Sequence, residues 1–197
     1  MVAKAESRGF TPDGVETEQP TSQSLVHEDL VNLVGPDYRQ LIFKPLRFLG
    51  IVQDISELDF KSPTERHERL NGQRSHGHYI VEQIIGNHRV YAYLLKPESN
   101  ESGEPVGRTS EHKHEHPEIE VLEHYVLLEG AMTLTLEEED TGENYSIELD
   151  SERNPHFLVR PRIYHRAEIT DGAALVLVIM PNAAQIPDDS LHVPRAT

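Results

Sequence analysis

The stretch "EHKHEHPEIEVLEHYVLLEG", residues 111–130, sets histidines at 112, 114, 116 and 124 among glutamates, just before an apolar run that ends in glycine. In an extended strand, residues two apart project from one face. His112, His114 and His116 therefore line one side, and two such histidines can offer imidazole nitrogens to one ion if neighbouring strands supply further ligands. Glu123 sits among Val, Leu and Tyr, in a segment that reads as buried. An inward carboxylate there is costly unless paired or coordinated. Tyr125, two residues on, shares its face, either as a hydrogen-bond donor to a substrate or as a core tyrosine whose hydroxyl reaches the rim. His124 points the other way. A His- and Glu-rich ribbon alone reads as a solvated segment; its meeting with Glu123, Gly130 and a distant His165 makes it a candidate metal site.

His165 closes "FLVRPRIYH", an apolar strand followed by a proline turn that directs the next residues back inward. There is no cysteine, so thiolate ligands, disulfides and a cysteine nucleophile are all excluded, and any metal is held by His, Asp or Glu. The formal charge of -16, from 34 acidic and 18 basic residues, opposes binding to nucleic-acid phosphates or anionic lipid. No segment approaches the run of about 20 apolar residues that a membrane span needs, and the N-terminal residues lack the apolar core of a signal peptide. These features predict a soluble, cytoplasmic protein with neither a nucleic-acid nor a membrane partner.

A chain of 197 residues suits one domain. Residues 1–24 are polar and aperiodic and read as a flexible arm. Residues 25–75 hold a short helix, with Ser24 as cap and Gly35-Pro36 as stop, followed by extended elements and loops. From residue 76 the pattern turns to strands. "HGHYIVEQIIGNHRVYAYLLKP" is a hairpin broken at Gly86-Asn87, and strand-length runs follow to residue 181, separated by Gly, Asn, Asp or Pro. In "MTLTLEEE" the alternation places Met132, Leu134 and Leu136 on one face. Many short strands with turns between them predict a sandwich or barrel over 76–181, and 182–197 reads as a tail.

This order of motifs, a His-X-His pair, a Glu, a Gly and a distant His beyond a proline turn, resembles the cupin superfamily over about residues 109–181. The resemblance implies a mainly β fold, a cupin jelly-roll β-barrel (double-stranded β-helix) with a short N-terminal helical region. It also implies one divalent transition metal (Fe, Mn, Zn or Ni) held by three His and one Glu, with open positions for water or substrate. Because Pro117 follows the pair, as is common in cupins, the resemblance selects His114, His116, Glu123 and His165, with His112 in reserve. The six residues between His116 and Glu123 are similar in spacing to the archaeal cupin-type glucose-6-phosphate isomerases. An alignment on Thr109, the family's threonine, would instead select His112 and His114. The glycine usual before the second-motif histidine is replaced here by Arg162 or Ile163.

What the resemblance implies about activity is a metal-dependent enzyme for a small polar metabolite, with Glu123 and Tyr125 as catalytic candidates. A sugar or sugar-phosphate aldose–ketose isomerase leads; a non-haem Fe(II) dioxygenase and a non-catalytic binding cupin are the alternatives. No Lys or Arg cluster for a phosphate stands near the motif; His156, Arg160 and Arg162 are the candidates for an anion at the barrel mouth. Tyr79, Tyr91 and Tyr93 read as packing residues, and His76, His78 and His88 as background. A single barrel leaves apolar outer surface, which predicts a homodimer.

Overall fold

A computed structural model of the protein describes residues 28, 30–60, 64–70, 73–97, 107–186 and 192–195, with backbone alone through 64–70, 73–78 and at 192. The arm assigned to residues 1–24 lies outside the described residues. A first helix, α1, runs through 30–34 and stops at Gly35, whose φ of 83° breaks the helical path as its N–H reaches back to Val31 O at 2.7 Å. A second helix, α2 (Tyr38–Phe48), follows where the sequence pattern predicts extended elements and loops. Its buried stripe is Tyr38, Ile42, Phe43 and Leu46, but Pro45 lies inside it and Phe48 and Leu49 are exposed, which blurs the apolar period.

Apart from a single 3-10 turn at Ile55–Glu57, the remaining regular structure among the described residues is antiparallel sheet: β1 (Thr64–Leu70), β2 (Gln73–Ile85), β3 (His88–Leu95), β4 (His112–His114), β5 (Glu123–Glu138), β6 (Asn144–Asp150), β7 (His156–Val159), β8 (Ile163–Pro181) and β9 (His192–Pro194). The hairpin turn at Gly86-Asn87 joins β2 to β3. One short strand, β9, comes from the stretch that reads as a tail.

The architecture turns on the longest two strands. β5 and β8 pair along most of their lengths, from His124↔Ile179 to Glu138↔Ile163, with register shifts between Leu127 and Met132. The nine strands form one continuous sheet that curls into two facing sheets, and each half of this pair belongs to one of them. The first half of β5 and the second half of β8 are flanked by β7 on one side and by β3, β2 and β1 on the other. The second half of β5 and the first half of β8 are flanked by β6 and by β4 and β9. Between them the pair bends, and the two sheets face each other as a jelly-roll β-barrel.

The side chains follow the bend. In β5 the buried positions are 123, 125 and 127, then 132, 134 and 136, so the inward phase changes from odd to even across the irregular residues. Gly130 makes this possible: its φ is 88°, and a Cβ there would stand 2.3 Å from Ala173 O on β8.

Two cores result. Inside the barrel, Tyr91, Tyr93, Val176 and Val178 of one sheet meet Leu134, Leu136, Leu149 and Ala167 of the other. Outside, the alternate residues Val90, Ala92, Leu94, Leu175, Leu177 and Ile179 pack under α1 and α2. Burial on both faces explains why "ALVLVIM" is apolar without alternation. Each such aliphatic side chain contributes about 1.5–3 kcal/mol relative to exposure, so the helices belong to the folded unit. Among the described residues no helix is long and apolar enough to cross a membrane.

Gly130→Ala is expected to lower the unfolding free energy by about 2–4 kcal/mol, from overpacking added to the left-handed φ. Gly142→Ala, at a φ of 70° with open space around it, should cost only about 1 kcal/mol. Urea denaturation of the two variants measures both, and equal losses would remove the close approach as the cause.

Candidate metal centre

The bend brings one carboxylate onto three histidines. His112 and His114 project inward from β4, and His165 lies beside His112 at the start of β8, the two paired across the strands. Glu123 opens β5 in the opposite sheet. One ligand atom from each of His112, His114, Glu123 and His165 lies within 4.8 Å of every other, and all four residues are buried.

Two of the rings are oriented by backbone carbonyls. His112 Nδ1 lies 2.9 Å from Ser110 O, and His165 Nδ1 lies 3.0 Å from Ile163 O. A carbonyl oxygen only accepts, so each Nδ1 carries a proton, and Nε2 is the nitrogen that offers a lone pair whenever the ring is neutral. Glu123 Oε2 stands 2.9 Å from His114 Nε2 and 2.7 Å from His165 Nε2. That His165 Nε2 is buried and makes no properly aligned hydrogen bond.

A lone pair held at 2.7 Å from a carboxylate oxygen is repulsive unless positive charge lies between or beside them. Burial pushes the Glu123 carboxyl up, but the His114 and His165 rings overcome this and hold it well below the usual carboxylate range. For His165, burial favours the neutral ring, and the Glu123 carboxylate outweighs it to raise the imidazolium pKa. A proton supplies positive charge at one nitrogen only. A divalent ion satisfies three imidazole nitrogens and a carboxylate oxygen together, so the donor set fits such an ion.

The structure groups His112, rather than His116, with His114, Glu123 and His165. The alternation that puts 112, 114 and 116 on one face lasts only while the chain is extended, and β4 ends at His114. The chain bends through 117–119, where a half-buried His116 accepts a hydrogen bond at Nδ1 from Glu118 N at 3.2 Å.

The turn that delivers His165 also departs from expectation in a way the backbone explains. Arg162 adopts a φ of 64°, the region glycine favours. Its N–H donates to His114 O at 3.1 Å, and its guanidinium donates to Asp140 Oδ1 at 3.1 Å. These contacts hold a strained residue in place, tie the turn to the end of β4 and keep the cation outside the barrel.

Against the site lies a narrow cavity of about 30 Å³, bordered by Tyr79, Tyr91, Tyr93 and Tyr125 and by Thr109, Ser110, His112 and Glu123. Tyr125 is 1% exposed and edge-on to His165, with ring centroids 6.1 Å apart. Burial first, then the Glu123 carboxylate and the neighbouring Tyr93 and Tyr79, push its phenol well above the ordinary range, so it stays a donor. Tyr79, Tyr91 and Tyr93, read from sequence as packing residues, thus also border the site. The signal was the alternation in "VYAYLL", which places 91, 93 and 95 on one face. Thr109 acts as a brace that sequence reasoning missed: its Oγ1 accepts from Ala167 N at 2.9 Å and fixes the approach to β4. His156, Arg160 and Arg162 do not border the cavity. His124 lies on the exposed face, where burial and then His156 and His88 lower its pKa.

No protein-family model matches the sequence, and no curated protein matches it significantly. Among solved structures, the capsular polysaccharide assembling protein CapF of Staphylococcus aureus is similar over 71% of this chain and 34% of its own, at 13% identity and a TM-score of 0.48. The oxalate decarboxylase of Bacillus subtilis is similar over 54% of this chain and 24% of its own, at 16% identity and a TM-score of 0.41. An oxalate oxidase in complex with the substrate analogue glycolate is similar over 48% of this chain and 42% of its own, at 12% identity and a TM-score of 0.38. This chain spans less than half the length of each.

Elemental analysis is expected to find about one equivalent of a divalent transition metal in the wild-type chain, lost in His112→Ala and retained in His116→Ala. Retention in His112→Ala with loss in His116→Ala would reverse the assignment.

Proposed function

We propose that this protein is a metal-dependent enzyme acting on a small, uncharged polar metabolite that presents two neighbouring oxygens. The observation that carries the reading is the convergence of His112, His114, Glu123 and His165 at the wall of a tyrosine-bordered cavity. A divalent ion held there supplies Lewis-acid polarisation of a carbonyl or hydroxyl oxygen. The protein's own groups do the rest. Tyr125, kept protonated by burial, is a hydrogen-bond donor placed beside the ligand set. The aromatic walls limit the water that reaches the reacting atoms.

The lining argues for the substrate's charge. No Lys or Arg is among the described residues bordering the cavity. A phosphate would find no cationic side chain there, so the lining favours a neutral oxygen chelator over a sugar phosphate, and the cavity of about 30 Å³ must widen to admit it.

Aldose–ketose isomerisation is the leading reaction class, because polarising a carbonyl beside a hydroxyl is what these groups do best together. Moving a proton between adjacent carbons would fall to Glu123, the one carboxylate among those lining residues, with the Tyr125 hydroxyl donating to the substrate oxygen. A second reading, a dioxygenase, is favoured by the same scarcity of carboxylates, since it asks for no proton carrier beyond the ligand set.

Candidate neutral sugars and hydroxy-carbonyl compounds, incubated with the metal-loaded protein with and without oxygen, separate the two. An isomerase interconverts substrate anaerobically and tolerates several metals, whereas a dioxygenase consumes oxygen and requires iron. Turnover under neither condition overturns the enzymatic reading. Tyr125→Phe is expected to lower kcat/KM about tenfold, the equivalent of one lost hydrogen bond, with metal content unchanged.

A further inference from the structure

The histidines occupy one face of their strands, and the opposite face carries a lattice of charges. Lys113, between His112 and His114, turns outward. It is only 4% exposed, and its ammonium reaches both oxygens of Glu139 at 2.7 Å and Glu115 at 2.7 Å. Tyr164, next to His165, lies under this ammonium at 5.3 Å from the ring centroid and under the Arg195 guanidinium at 5.8 Å. Arg195 follows β9. Its two terminal nitrogens donate to the two oxygens of Glu137 on β5 at 2.7 Å each, and it also approaches Glu111 at 3.4 Å.

β4 needs such support. It has three residues and pairs with β8 at a single position, His112↔His165, whereas β9 pairs with all three of its residues, His112↔Pro194, Lys113↔Val193 and His114↔His192. β9 is itself three residues long, and the side-chain anchor next to it is the Arg195 fork on Glu137. Glu137 lies opposite Tyr164 in the β5–β8 ladder, one residue from the Leu136↔His165 pair. The bridge therefore ties β9, and through it β4, to the strand pair that positions His165.

We propose that β9 and Arg195 are a positioning element for the metal centre: by holding β4 in register, the Arg195–Glu137 bridge sets how tightly His112 and His114 retain the ion. The proposal rests on the metal-centre reading above. Arg195 acts through Glu137 and β4 and does not touch the site. A planar bidentate fork fixes direction as well as distance, which a lysine cannot do. The Arg195 side chain is 41% exposed, so the bridge is screened and adds little to global stability. Local opening of a three-residue strand is a different matter, because few contacts oppose it.

The test uses the full chain. In the metal-free protein, hydrogen exchange followed by mass spectrometry should show the amides of 111–115 exchanging faster in Arg195→Ala than in wild type, with the melting temperature nearly unchanged. In protein loaded with Co(II), release to a chelator should be about 10- to 100-fold faster in Arg195→Ala and in Glu137→Gln, the range for loss of a group that orients metal ligands. The double variant should release no faster than either single one. Arg195→Lys should fall between. Added salt should accelerate release from wild type and leave Arg195→Ala unaffected. Arg153→Ala, which removes an exposed bridge to Asp150, is the control and should change nothing. Wild-type rates of exchange and release in Arg195→Ala overturn the proposal, as does equal acceleration in Arg153→Ala. Failure of the wild type to take up Co(II) overturns the metal-centre reading instead, and the exchange data then stand alone on whether Arg195 holds β4. Should Arg195→Ala fail to fold, faster release from Arg195→Lys and from wild type in added salt supports the proposal, and unchanged release in both overturns it.

Discussion

The rest of the molecule depends on the bend in the β5–β8 pair at Gly130, where two backbones approach more closely than any side chain allows. Without it, Glu123 and the second half of β5 would lie in one flat sheet, and the carboxylate would sit far along the strand from His165. The bend folds one ladder into two facing sheets, puts Glu123 on one and the three histidines on the other, and lets a single set of donors span the barrel interior. The barrel core and the cluster of His112, His114, Glu123 and His165 are thus two results of one backbone event.

The ligand set is held from outside itself. Ser110 and Ile163 carbonyls choose the tautomers of His112 and His165, Thr109 and Arg162 anchor the segments that lead in and out of the site, and charged pairs on the opposite face hold the short strand that carries two of the ligands. Orientation of this kind is what separates a cluster of polar residues from a site with a fixed geometry. The tyrosines that border the cavity add the remaining feature, a wall that donates hydrogen bonds yet carries no charge.

Much of this was legible in the residues. The strands of the barrel, the hairpin at Gly86-Asn87, the inward face of Met132, Leu134 and Leu136, and the membership of His114, Glu123 and His165 in one cluster all follow from period-two patterning and turn chemistry. Helix α2 was hidden because Pro45 and the exposed Phe48 and Leu49 mask its stripe. β9 was hidden because three residues carry no period. The choice between His112 and His116 could not be made by alternation, since both have the right parity.

By itself, then, the sequence determined which residue types could hold a metal, because a chain without cysteine leaves only imidazoles and carboxylates, and it determined the mainly β class, because alternation is a local property of an extended chain. Only the tertiary structure decided which histidine completes the set. That depends on where β4 stops being extended and on which strand lies across from it. Parity along a strand is written locally, whereas the point where a strand ends is set by pairing partners distant in sequence, here β8 and β9.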